Sequence, residues 1–105
     1  MKWFNYAEFD SPDAPGSGEA HMDSDFLQML DRARGLAGGP FKINSGYRTA
    51  SHNRKVGGVK ASSHTLGLAA DIHCTDSRNR AHIVSALMEA GFNRIGIAPT
   101  FIHVD

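Results

Sequence analysis

The sequence predicts an α+β fold, with a small, mostly antiparallel sheet and helices packed on one of its faces. Three observations carry this reading. Two stretches, near residues 24–36 and 77–91, place apolar residues at helical spacing. Other stretches alternate apolar and polar residues, as half-buried strands do. Strands and helices do not alternate in the long βαβ series that a parallel sheet requires.

At the N-terminus, Phe4-Asn5-Tyr6-Ala7-Glu8-Phe9 is aromatic-rich, and its rings are expected to pin an arm onto the body. Ser11 to Gly18 holds two prolines and two glycines and reads as loop. Asp23 or Ser24 can cap a helix running to about Leu36, with Phe26, Leu27, Leu30, Ala33 and Ala37 as its inner stripe. Gly38-Gly39-Pro40 stops it. Phe41 to Asn44 then alternates as a short strand, and Ser45 to Thr49 turns into a short polar helix or loop around Ser51 to Lys55.

Leu68 to Cys74 reads as a second strand. Parity puts Leu68, Ala70, Ile72 and Cys74 on one face, and Ala69, Asp71 and His73 on the other. The second helix follows from Ser77 to Gly91, with Ile83, Val84, Leu87, Met88 and Ala90 inward. Arg94 to Ile97 and Phe101 to Asp105 form a hairpin around Ala98-Pro99-Thr100. In its last strand Ile102 and Val104 face the core, while Phe101, His103 and Asp105 share the open face with Asp71.

A length of 105 residues implies one domain, with residues 1–22 as arm and loop and 23–105 as core. Eleven Lys and Arg balance eleven Asp and Glu, which argues against a phosphate-neutralising nucleic-acid binder. No apolar run approaches a membrane span, and the first residues lack the apolar stretch of a signal peptide. A single cysteine, Cys74, excludes an internal disulfide and suits synthesis in a reducing cytoplasm. A monomer without nucleic-acid or membrane partners is expected.

The chemistry lies in the histidines. His64 and Asp71 stand seven apart across a glycine turn that leads into a strand, and His103 lies on another strand. Spacing alone is weak evidence. Strand parity adds to it, because an ionised Asp in a strand of Leu, Ala and Ile needs a partner. Two imidazoles and one carboxylate, with a fourth position left for water, compose a catalytic zinc shell, although other divalent ions suit the same donors.

The pattern Ser62-x-His64-x-x-Gly67-x-Ala69-x-Asp71 resembles the signature of the zinc D-alanyl-D-alanine carboxypeptidase family. That superfamily also holds D-alanyl-D-alanine dipeptidases, phage L-alanyl-D-glutamate endopeptidases and the hedgehog signalling domain. Ser45-Gly46-Tyr47-Arg48-Thr49 resembles the family's arginine turn, His52-Asn53 follows it as in many members, and Phe101 to Asp105 resembles the closing strand. The Phe9-Asp10-Ser11-Pro12-Asp13 opening is similar to small phage-type members.

The resemblance implies one zinc ion held by His64, Asp71 and His103. It implies Arg48 at the scissile carbonyl oxygen or a substrate carboxylate, with Ser62 and His52 beside the substrate. The activity implied is hydrolysis of an amide in peptidoglycan stem peptides by zinc-bound water, as a carboxypeptidase or an endopeptidase. A phage-encoded protein acting on a host wall fits that reading.

One departure stands out. Many members carry an acid three residues before the last ligand, and here that position is Thr100. Asp105 then serves as general base or only orients His103, or His73 acts instead, or the base is absent. In the last case the chain is a non-catalytic, zinc-containing peptidoglycan-binding or structural module. Related small members run on past this point, which leaves open a further site element beyond Asp105. His21 and His82 read as solvent-facing, and Cys74 as a small buried hydrophobe.

Overall fold

The computed structural model describes residues 1–105. The fold is α+β, as expected: four helices and one four-stranded antiparallel sheet. The strands are β1 (Ile43–Ser45), β2 (Ala70–His73), β3 (Ile95–Ile97) and β4 (Phe101–Val104), in the order β1-β2-β4-β3. The helices are α1 (Ser17–His21), α2 (Ser24–Ala37), α3 (Ala50–Lys55) and α4 (Ser77–Glu89).

The two long helices begin and end where backbone chemistry dictates. The Asp23 carboxylate accepts the Phe26 N–H at 2.8 Å, and Gly38 ends α2 in the left-handed region at φ +69°. Asp76 caps α4 by accepting the Asn79 N–H at 2.8 Å. Both helices pack on the inner face of the sheet. Phe26, Leu27, Leu30 and Ala33 of α2 and Ile83, Ala86 and Leu87 of α4 share one core of 18 buried residues with Ile72, Ile102 and Val104. That leaves the opposite face of β2 and β4 for polar side chains.

The strands are shorter than the sequence suggests. Phe41, expected in β1, is a core residue preceding it, and the ladder shifts register between Ile43 and Ser45. Leu68, expected on the core face of β2, is 40% exposed. The cause is the turn before it: Gly67 sits at φ +72°, and the Leu68 N–H still bonds back to the Ser63 carbonyl. A side chain at Gly67 would also meet the His21 carbonyl oxygen, so the position excludes a Cβ on two counts. Ala69, expected on the open face, is wholly buried.

The N-terminal arm is more ordered than a loop reading allows. Tyr6–Phe9 forms a 3-10 turn, and α1 lies inside the predicted loop. The Asp10 carboxylate holds them together by accepting the N–H groups of Gly16 and Gly18, at 3.0 and 2.8 Å. Phe4, Phe9 and Met22 belong to the core. Trp3 lies under the Arg34 guanidinium at 4.2 Å, and Asp31 accepts the N–H groups of Lys2 and Trp3.

Candidate metal centre

The β2–β4 ladder sets Asp71 directly opposite His103. His64 arrives from the 3-10 turn Ser63–Leu66, which precedes β2. Ser62 caps this turn, its hydroxyl accepting the His64 N–H at 3.2 Å. One donor atom from each of His64, Asp71 and His103 lies within 4.8 Å of the other two. His64 and Asp71 are buried and His103 half-buried.

The ring nitrogens decide what this cluster can do. His64 Nδ1 lies 2.7 Å from the Gly46 carbonyl oxygen, which can only accept, so Nδ1 carries the proton. In the neutral ring Nε2 is then a lone pair, and it faces Asp71 Oδ1 at 3.3 Å. His103 repeats the arrangement with the nitrogens exchanged. Its Nε2 faces Asp105 Oδ2 at 2.8 Å and its Nδ1 faces Asp71 Oδ1 at 2.8 Å. Each ring turns its outer nitrogen to an acceptor and its inner nitrogen towards the same carboxylate oxygen. Neutral rings would set three acceptors face to face, which a metal cation between them or a proton on His103 relieves. Two nitrogens and a carboxylate oxygen with outer partners fixed fit a zinc-type ion.

The protonation equilibria follow the same contacts. Burial pushes the Asp71 carboxyl up, but its contacts with His103 and His64 outweigh it and hold it well below the usual carboxylate range. The hydrogen bond to Asp71 raises His103, against burial and with help from Asp105. Burial pushes Asp105 up, and the His103 and Arg94 contacts outweigh it and lower it.

Arg48 closes the cluster from the β1 side. Its Nη2 donates to Asp71 Oδ2 at 3.3 Å, its Nε to Ser45 Oγ at 3.1 Å and its Nη1 to Asn53 Oδ1 at 3.2 Å. Three of its five N–H groups are thus committed. Arg48, Ser62, His64, Asp71 and His103 line one open cleft of about 440 Å³, whose remaining wall is Val59, Gly96, Ile97, Ala98 and Phe101.

A family model described as peptidase M15 matches residues 4–105, nearly the whole chain.

The chain belongs to the peptidase M15 family.

M15 proteins are zinc-dependent metallopeptidases, and the His64, Asp71 and His103 cluster of this member could hold the metal. No curated protein matches the chain.

Other expected site residues fall elsewhere. His52, expected near the substrate, lines a shallow groove with Pro12, Asp13, Ser51 and Lys55 and not the cleft. It lies on α3, which the Thr49 hydroxyl caps by accepting the His52 N–H, and that turn of helix faces the N-terminal arm. His73 keeps the strand parity of Asp71 but stands two residues, about 7 Å, further along β2. It lines a different groove. Thr100 is exposed in the β3–β4 turn and does not line the cleft. Asp105 does not line it either, and meets the His103 nitrogen that points away from Asp71. Sequence reasoning assigned no role to Asn53, Ser45, Arg94 or the Gly46 carbonyl. Asn53 carried the one available signal, a polar side chain in a short helix adjoining the arginine turn. It is 3% exposed, bonded to Arg48 and to the Val59 carbonyl.

Proposed function

We propose that this M15 protein is a zinc peptidase that hydrolyses an amide bond in peptidoglycan stem peptides, as a carboxypeptidase or an endopeptidase. The observation that carries the proposal is the convergence of two imidazole nitrogens on Asp71 Oδ1, each ring held from behind by its own acceptor. A zinc ion held by His64, Asp71 and His103 supplies Lewis acidity to an amide carbonyl and acidifies water.

The chain's own groups do the rest. Gly46 and Asp105 fix the two rings. Arg48 keeps two N–H donors free, and its planar, permanent charge suits a carbonyl oxygen that gains charge, or a substrate carboxylate. Ser45 and Asn53 hold that guanidinium in place, so little side-chain entropy is lost when substrate arrives. Ser62 acts through the His64 backbone. Asp105 is a positioning residue, because its carboxylate addresses the far nitrogen of His103. A phage-encoded role on a host wall belongs to the same proposal.

One observation favours a second reading. Asp71 is the sole carboxylate lining the cleft, so no second acid stands ready to take a proton. A zinc-containing module that binds stem peptides without cutting them would have this composition. The deciding experiment is release of peptides from purified peptidoglycan, with and without added zinc, read by mass spectrometry. Zinc-dependent release establishes the peptidase, and fragment masses name the bond. Intact peptidoglycan after treatment with folded, zinc-loaded protein leaves the binding module.

A further inference from the structure

A second hollow, a groove of about 640 Å³, shares no lining residue with the metal cleft. It runs between the loop that ends α2, the end of β2 and the first two turns of α4. Lys42 comes from the loop, His73 and Thr75 from the end of β2 and just beyond, and Arg78, Asn79 and His82 from α4. No Asp or Glu lines it. Gly38, Gly39 and Pro40 form part of its wall.

Several other cations of the molecule are already engaged. Arg48 and Arg94 each pair with a carboxylate, Arg80 is bonded to three carbonyls, and Arg34 covers Trp3. The side chains of Lys42 and Arg78 make no hydrogen bond or ion pair, nor do His73 and His82, and all four are exposed. The chain has zero formal charge. Asp76, beside the groove, is taken up by the Asn79 backbone and side-chain N–H groups. The groove therefore gathers Lys42, Arg78, His73 and His82 from three directions with no carboxylate bonded to any of them.

We propose that this groove is a binding site for phosphate esters. A tetrahedral phosphate presents several acceptor oxygens in different directions. That matches a guanidinium, an ammonium and imidazole N–H groups better than a planar carboxylate does. The hollow is in the range of small-molecule sites and exceeds a single phosphate, so it takes the ester's organic part or successive units of a phosphodiester chain. The site is independent of the metal cluster and of the peptidase reading.

The test is a titration of the zinc-loaded full chain, followed by amide and imidazole NMR shifts at constant pH and ionic strength. The ligands are glycerol 3-phosphate, poly(glycerol phosphate) and, as controls, chloride and polyglutamate. Saturable shifts centred on His73, Arg78 and His82 with both phosphate ligands are expected. The pair Lys42→Gln and Arg78→Gln should weaken them at least tenfold with zinc content unchanged. Tighter binding of the polymer identifies a phosphodiester chain as the natural source, and equal binding a small ester. Equal shifts with polyglutamate or chloride, shifts centred on the metal cluster, or affinity untouched by the double variant would overturn the site.

Discussion

Asp71 divides its two oxygens between opposite neighbours. Oδ1 meets both imidazoles, and Oδ2 meets the Arg48 guanidinium. Replacing it by Asn keeps the shape and removes the charge, so Asp71→Asn should fold and lose most of its bound zinc in metal analysis. Zinc retained at one ion per chain would remove Asp71 from the ligand set. Asp105 is tested differently, because it acts through His103. Partners behind a ligand imidazole typically contribute 10–100-fold to metal affinity. Asp105→Ala should weaken zinc by about that factor in a chelator competition, and peptidase activity should return when zinc is raised. Normal zinc affinity with lost activity would instead make Asp105 the proton acceptor. The grouping of Asp71 with His103 was legible because strand parity and an apolar strand around a charge are properties of the sequence, and His64 joined them through the resemblance of its segment to a family motif. The acceptors behind them were less so. A backbone carbonyl such as that of Gly46 has no residue signature, and His52 is turned aside by a helix cap that the sequence does not orient.

Arg80 shows how a helix holds a hairpin. From α4 its Nη2 donates to the Pro99 carbonyl at 2.8 Å and to those of Ala98 and Cys74 at 3.4 Å. The turn between β3 and β4 is thereby fastened to the end of β2. Losing such bonds costs about 1–3 kcal/mol, but the Nε of Arg80 is buried without a partner and offsets part of the gain. Arg80→Met should therefore destabilise by about 1 kcal/mol in urea unfolding. An unchanged midpoint would show that the hairpin does not need the clamp. Asp13 is the corresponding fastener for the arm. It accepts the hydroxyl protons of Ser11 and Thr49, which lower its pKa, and Thr49 caps α3. A carboxyl lowered by folding adds stability above its unfolded pKa and loses it as pH falls through the folded value. The gap in urea midpoint between the natural protein and Asp13→Asn should close as the pH drops from about 4 downward. Asp71 and Asp105 titrate with the same sign in both proteins, so the difference isolates Asp13. A constant gap would mean that the tether is not ionic. Elements with local signals, such as α2 and α4 with their stripes and caps, were readable. The arm was not, because Asp10 and Asp13 organise it through contacts that skip along the chain.

At the scale of the molecule, the sheet separates two tasks. Its inner face with α2 and α4 makes the core, and its open face places Asp71 opposite His103. A domain of this size has few kcal/mol in reserve. Two imidazoles and a guanidinium converge on one buried carboxylate, and a cation bound there adds to that reserve. Binding to the folded state alone stabilises by RT ln(1 + [L]/Kd), about 2.7 kcal/mol at a hundredfold excess over Kd. For a domain of roughly this length each kcal/mol moves the melting temperature by about 4–8 °C. Excess chelator should therefore lower Tm by about 10–20 °C, and zinc should restore it. In Asp71→Asn the chelator shift should largely vanish, because the variant has little metal to lose. An equal Tm with and without chelator, in protein shown to carry zinc beforehand, would mean that the ion binds folded and unfolded chain alike. The cluster would then be no part of what holds the fold together.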